Sequence, residues 1–239
     1  MEIKIMKGFF TCIVPFLALC VNIQAQTNSM NEAVQLTRQQ LRDSLAAASQ
    51  ELSFHPDSLD LRLRKASWNV QLEQWQYARD EYDYVLDRNP QNVAALFYRA
   101  FVNEKQKRYG FARLDYERLL ALAPNNFEAK LGLALLNNKD CRYTEAMNQI
   151  NLLVAQFPDS AVAYAARGGM EVERKMLAPA EFDYSKAIAL DPTNTDYRLN
   201  RANVRLMMKR KKDAREDLDA MVGMGVSRAS LMEWYRKCR

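Results

Sequence analysis

The chain is poor in the residues that build catalytic and metal centres. It has one histidine, His55, and seven glycines among 239 residues. His55 sits beside a proline, where a lone loop imidazole reads as a solvated polar group rather than an acid or base. No Cys–His cluster has metal-ligand spacing. No glycine-rich phosphate loop is present, and Gly223–Met224–Gly225 reads as a helix terminator. Carboxylates are numerous but lack a partner constellation, so the reading is not an enzyme, with no catalytic residue, metal or cofactor. The scarcity of glycine and the absence of any long apolar–polar alternation exclude a β architecture and leave an all-α fold.

Long hydrophobic runs are also missing, apart from one. Lys4 and Lys7 precede an apolar run from Phe9 to Val21, and a short polar stretch then ends in Ala25–Gln26. These are the basic, apolar and small-residue parts of a secretory signal peptide over 1–25, with cleavage expected after Ala25. The run is short for a span of about 20 residues, so no integral membrane span is expected after cleavage. Cys20 raises a rival reading, an outer-membrane lipoprotein, which wants a small residue where Leu19 stands. The expected location is the periplasm of a Gram-negative bacterium, or secretion. Of four cysteines, Cys12 and Cys20 fall in this segment. Cys141 and Cys238 lie about three repeat units apart, too far for the roughly 7 Å Cα separation of a disulfide, and are expected unpaired.

Charge of one sign is not dominant. The net charge is +5. Loss of Lys4, Lys7 and Glu2 with the signal removes a net +1 and leaves +4. The densest basic run, Lys209 to Lys212, is followed at once by Glu216, Asp217 and Asp219, which reads as a solvated turn. Nucleic acid is not an expected partner.

What the chain does have is a period. Five of its seven prolines, Pro56, Pro90, Pro124, Pro158 and Pro192, are 34 residues apart. With proline as position 32, the units are 59–92, 93–126, 127–160, 161–194 and 195–228. Position 20 is Ala78, Ala112, Ala146, Ala180 and Ala214. Position 8 is Ala66, Ala100, Ala134, Gly168 and Ala202. Such small residues let two helices approach closely. Proline cannot continue a helix, and the residue two places later, Ser58, Asn92, Asn126, Ser160 or Asn194, is a good N-cap for the next one. Tyr82, Tyr116, Ile150, Tyr184 and Leu218 at position 24 share a helical face with Leu86, Leu120, Val154, Ile188 and Val222 at position 28. Each unit therefore reads as helix, turn near position 15, helix, loop. The fifth has Val226 in place of proline.

One column pair varies in concert. Position 7 is Lys65, Arg99, Leu133, Arg167 and Arg201; position 23 is Glu81, Asp115, Gln149, Asp183 and Asp217. The charge disappears from both in the same unit. This predicts an ion pair between the two helices of four units, worth about 0–1 kcal/mol each if exposed.

These columns resemble the tetratricopeptide repeat (TPR) family, whose period and helix-turn-helix unit match over 59–228. The resemblance implies a right-handed α-solenoid of stacked repeats. There are departures: position 4, often Trp, is Arg62, Leu96, Lys130, Tyr164 and Arg198, and position 11, often Tyr, is Asn69, Asn103, Asn137, Glu171 and Arg205. Helical caps are expected at 26–58, where Leu41, Leu45, Ala48 and Leu52 share a face, and at 229–239, where Ser227 would cap a helix carrying Leu231, Trp234 and Tyr235.

The resemblance further implies a concave groove lined by first helices. Its positions here are Leu63; Phe97, Phe101 and Glu104; Leu131, Leu135 and Asn138; Ala165 and Gly169; Leu199 and Asn203. Apolar side chains fill the places that the basic-and-asparagine clamp of chaperone-binding relatives uses for C-terminal carboxylates. The expected function is a non-enzymatic scaffold holding an apolar peptide or helix of a protein partner, anchored at Phe97 and Phe101. Two alternatives stand: these side chains pack as ordinary core, or the chain is an architectural subunit using its convex face or caps.

Overall fold

The computed structural model describes residues 37–239. The expected signal segment, and the first part of the expected N-terminal cap, lie outside the described residues. The described residues are helical or in short turns, with no strand. They divide into two compact units, one ending at Leu153 and one beginning at Val154.

The first unit contains α1 (Arg38–Phe54), α2 (Leu59–Gln71), α3 (Trp75–Arg88), α4 (Val93–Lys105), α5 (Tyr109–Leu122) and α6 (Phe127–Lys139). It also takes most of α7 (Tyr143–Gln156), which runs through the boundary. The second contains α8 (Ala161–Glu173), α9 (Leu177–Leu190), α10 (Thr195–Met207), α11 (Lys211–Gly223) and α12 (Met232–Lys237). Within each unit, consecutive helices pack in sequence as antiparallel pairs, the arrangement of an all-α solenoid.

The sequence columns have direct physical roles. The alanines at positions 8 and 20 are fully buried in every pair that has them, so backbones meet there. Each first helix of a pair is capped from position 34. Asn92 and Asn126 accept from the backbone N–H of Ala95 and Ala129 at 2.8 Å, and Ser160 accepts from Ala163 at 3.2 Å. Such a cap contributes about 1 kcal/mol. Pro56 follows α1, and each later ladder proline lies in the loop after a second helix.

The turn inside each pair carries a feature that no glycine announces. Position 15 has positive φ in all five units: Glu73, Lys107, Cys141 and Lys175 at 59° and Lys209 at 62°. This left-handed residue reverses the chain after the first helix. The amide of the next residue then reaches back, as Gln74 N to Asn69 O and Arg108 N to Asn103 O, both at 2.8 Å.

Both ends are covered. In α1, Leu41, Ala48 and Leu52 are buried, and Thr37 forms a capping box with Gln40. At the other end α11 stops at Gly223, and Gly225 takes φ 93°. Leu231 and Tyr235 then pack against Ala214, Leu218 and Met221. Ser227 does not cap this last helix. The cap position is Leu231, with no side-chain bond, because a turn over Ser227–Leu231 intervenes. The Tyr235 hydroxyl ties α12 to α11 by donating to Asp219 at 2.6 Å. Cys141 and Cys238 are free thiols.

Candidate functional site

In the first unit the candidate groove side chains come from α2, α4 and α6. The period places them on one face of each helix. Leu63, Phe97 and Phe101 are partly buried and pack against one core cluster. Phe97 meets the ring edges of Tyr98 at 5.2 Å and Tyr116 at 5.9 Å. Phe101 meets Trp75 at 6.1 Å, edge to face, and the Lys105 ammonium lies 5.2 Å from its centroid. Leu131 is buried and Leu135 half-buried. The helix face is thus a half-buried aromatic floor.

A charged cluster closes the C-terminal end of this face. Glu104 is buried and paired with Lys139. Asn138 is buried beside it in sequence. Burial and the neighbouring Lys139 charge pull the Lys105 ammonium below its ordinary pKa, with Glu104 and Glu73 acting in the opposite direction. Apolar contact along the floor and charge at one end are the two ingredients for orienting a bound segment.

In the second unit Ala165 is buried, and Gly169, Leu199 and Asn203 are half-buried. A Cβ on Gly169 would stand 3.5 Å from the Tyr184 hydroxyl. Leu199 packs on the terminal cluster with Leu206 and Val222. This face has small residues on α8 and mixed ones on α10.

The concerted column forms four ion pairs: Lys65–Glu81 at 2.7 Å, Arg99–Asp115 at 2.5 Å, Arg167–Asp183 at 2.7 Å and Arg201–Asp217 at 2.5 Å. They are not exposed pairs. Asp115 is 2% exposed, and Asp183 and Asp217 are equally buried. Position 11 completes the cluster, and this is why it departs from the usual aromatic. Asn103 Nδ2 faces Asp115 at 3.4 Å, Asn137 Nδ2 donates to Gln149 at 2.9 Å, and Arg205 donates to Asp217 at 2.9 Å. In the third unit Leu133 replaces the cation, and an Asn137–Gln149 amide pair replaces the salt bridge. The hydrogen bonds it donates to Asp183 hold the Arg167 guanidinium above its ordinary pKa.

A further set joins one pair to the next. Arg113 donates to Asn137 at 2.9 Å and pairs with Asp140. Glu181 accepts from Arg205 at 2.8 Å and pairs with Arg210. These carboxylates are committed to arginines. Among the described residues, no group of three or more His, Cys, Asp or Glu could hold a metal.

The model for the family described as "Tetratricopeptide repeat" matches residues 63–126 and 105–161, and the 34-residue period carries the same columns through 228. Over residues 63–161 the chain is a tetratricopeptide repeat protein. Solved structures agree in fold. A tetratricopeptide repeat protein from Parabacteroides merdae is 22% identical, with TM-score 0.69, over 84% of this chain and 78% of that one. PilW, a type IV pilus biogenesis factor, is 16% identical, with TM-score 0.69, over 83% and 90%. YrrB, a TPR protein with an unusual peptide-binding site, is 17% identical, with TM-score 0.52, over 75% and 93%. No curated protein matches the chain in sequence. Among the described residues no helix is long and apolar enough to cross a membrane.

Proposed function

We propose that this TPR protein is a non-enzymatic interaction scaffold of the cell envelope, exported by residues 1–25. Its first-helix faces would bind an apolar helix or extended segment of a protein partner. The observation that carries this reading is the half-buried pair Phe97 and Phe101 on α4, flanked by Leu63 and Leu135 and ended by Glu104, Lys105 and Lys139. Aromatic rings held edge to face are already ordered, so they contribute contact area at little further entropic cost. YrrB's peptide-binding site and PilW's part in pilus biogenesis are precedents for repeats of this fold serving binding roles in bacteria.

The architectural reading keeps one observation of its own. On the second helices of the first unit, Tyr77, Phe111 (58% exposed) and Leu114 stand open to solvent. A permanent neighbour in an envelope complex would cover such side chains.

The test combines Phe97→Ala with Phe101→Ala. Lost partner capture with a retained helical fold supports the groove. Lost thermal stability with unchanged capture assigns the rings to core packing.

A further inference from the structure

The fourth repeat breaks the chemistry of the buried polar column. At position 11 the other four repeats carry an asparagine or an arginine, which can donate to the carboxylate or amide at position 23. Here the column that sets Asn103 3.4 Å from Asp115 and Arg205 2.9 Å from Asp217 places Glu171 opposite Asp183. Both are buried: Glu171 is 6% exposed and Asp183 1%. Asp183 is fully engaged by Arg167, which donates through Nε at 2.7 Å and through Nη2 at 2.8 Å. That single guanidinium neutralises one carboxylate. The second has no comparable partner, and Glu171 Oε2 makes no hydrogen bond.

The surroundings supply little other compensation. On α8 itself, Arg167 lies toward Asp183, and Arg174 exerts a weaker pull while donating to its own helix at Met170 O. On α9, Asp183 repels, and the buried Tyr184 hydroxyl has no partner. On α10, Arg201 is turned to Asp217 and Ser185, and Arg205 to Glu181 and Asp217. Two buried carboxyl groups that share one cation are best satisfied when they hold one proton between them.

We propose that Glu171 and Asp183 share a proton, and that its release to solvent as pH rises loosens the α8–α9 hairpin. In the acid form the Glu171 O–H donates to the Asp183 carboxylate. In the basic form two buried anions face each other across the hairpin. Burial, then the Asp183 charge, pushes the Glu171 carboxyl up to about 7. The raised folded-state value means that stabilisation is complete below about pH 4.5 and is lost as pH rises through 7. The fourth repeat is therefore a proton-operated joint.

The experiment is thermal unfolding across pH, with hydrogen exchange of α8–α9 peptides, on the full mature chain. The wild type should melt roughly 5 °C lower at pH 8 than at pH 5.5. Glu171→Gln, which imitates the protonated acid, should flatten this slope. Glu171→Asn, the side chain of the first three repeats, serves as a second variant if the first folds poorly. After correction for intrinsic rates, α8–α9 exchange should quicken as pH rises from about 5 through 7, and level off beyond, in the wild type alone. An equal pH slope in wild type and both variants overturns the proposal, as does exchange in α8–α9 that is independent of pH.

Discussion

Replacing Arg99 by leucine would strand Asp115. In the native repeat that carboxylate is 2% exposed and takes two bonds from Arg99, at 2.5 and 2.9 Å. Its remaining neighbour is Asn103 at 3.4 Å. An uncompensated buried charge costs about 3–5 kcal/mol. Asp115→Gln should cost less, about 2 kcal/mol, because Arg99 is 17% exposed and keeps Asp83 at 2.8 Å. The double variant reproduces the third repeat, where Leu133 faces the bonded Asn137–Gln149 pair, so about 1–2 kcal/mol is expected. The two changes should thus be non-additive by about 3–6 kcal/mol. Urea unfolding followed by tryptophan fluorescence is the assay. Trp234→Phe leaves Trp68 and Trp75, which report the first unit alone and avoid mixing two transitions. Single variants that each cost under about 1 kcal/mol, and that add, would refute a buried pair and restore the exposed-pair expectation.

Other perturbations follow from single contacts. A Cβ at Gly132 would sit 2.7–2.9 Å from the Tyr116 ring; because that ring is buried, Gly132→Ala should cost about 1–3 kcal/mol by chemical denaturation despite the helix propensity of alanine. Gly110→Ala meets nothing within 4 Å and should instead stabilise by roughly 0.4–1 kcal/mol. Asn126→Ala removes the 2.8 Å cap on α6 and should cost about 1 kcal/mol in the same assay. Lys107→Gly relieves the left-handed backbone at φ 59° and should gain roughly 1 kcal/mol in melting experiments, where a loss would contradict the strain argument.

The proline and alanine columns made the helix pairs legible because each is a steric demand repeated at the same place in every unit. Caps were legible for the same reason. Position 15 was not: its left-handed turn is made by Glu73, Lys107, Cys141, Lys175 and Lys209, none of which advertises positive φ as glycine would. Partners at positions 7 and 23 were readable from their shared change in the third repeat. Their burial was not, since charge ordinarily signals surface. Position 11 read as a departure from the family's aromatic, and only the geometry ties Asn103, Asn137 and Arg205 to the buried carboxylate or amide. Ser227 read as a cap because serine precedes an apolar run, but a turn separates it from α12. For the groove, sequence placed Phe97 and Phe101 on one face of α4, while their ring contacts with Tyr98, Tyr116 and Trp75 depend on three-dimensional packing.

The measurement that bears most directly on the scaffold reading is site-specific photocrosslinking in the native envelope. A photoreactive phenylalanine analogue would replace Ser67, one turn after Leu63 on α2, or Leu135 on the first-helix face, and Phe111 or Leu114 on the second-helix face. The groove account predicts one discrete protein adduct from Ser67 and Leu135, lost on Phe101→Ala, with none from Phe111 or Leu114. Adducts confined to Phe111 and Leu114 would contradict it and assign the binding to the second-helix face.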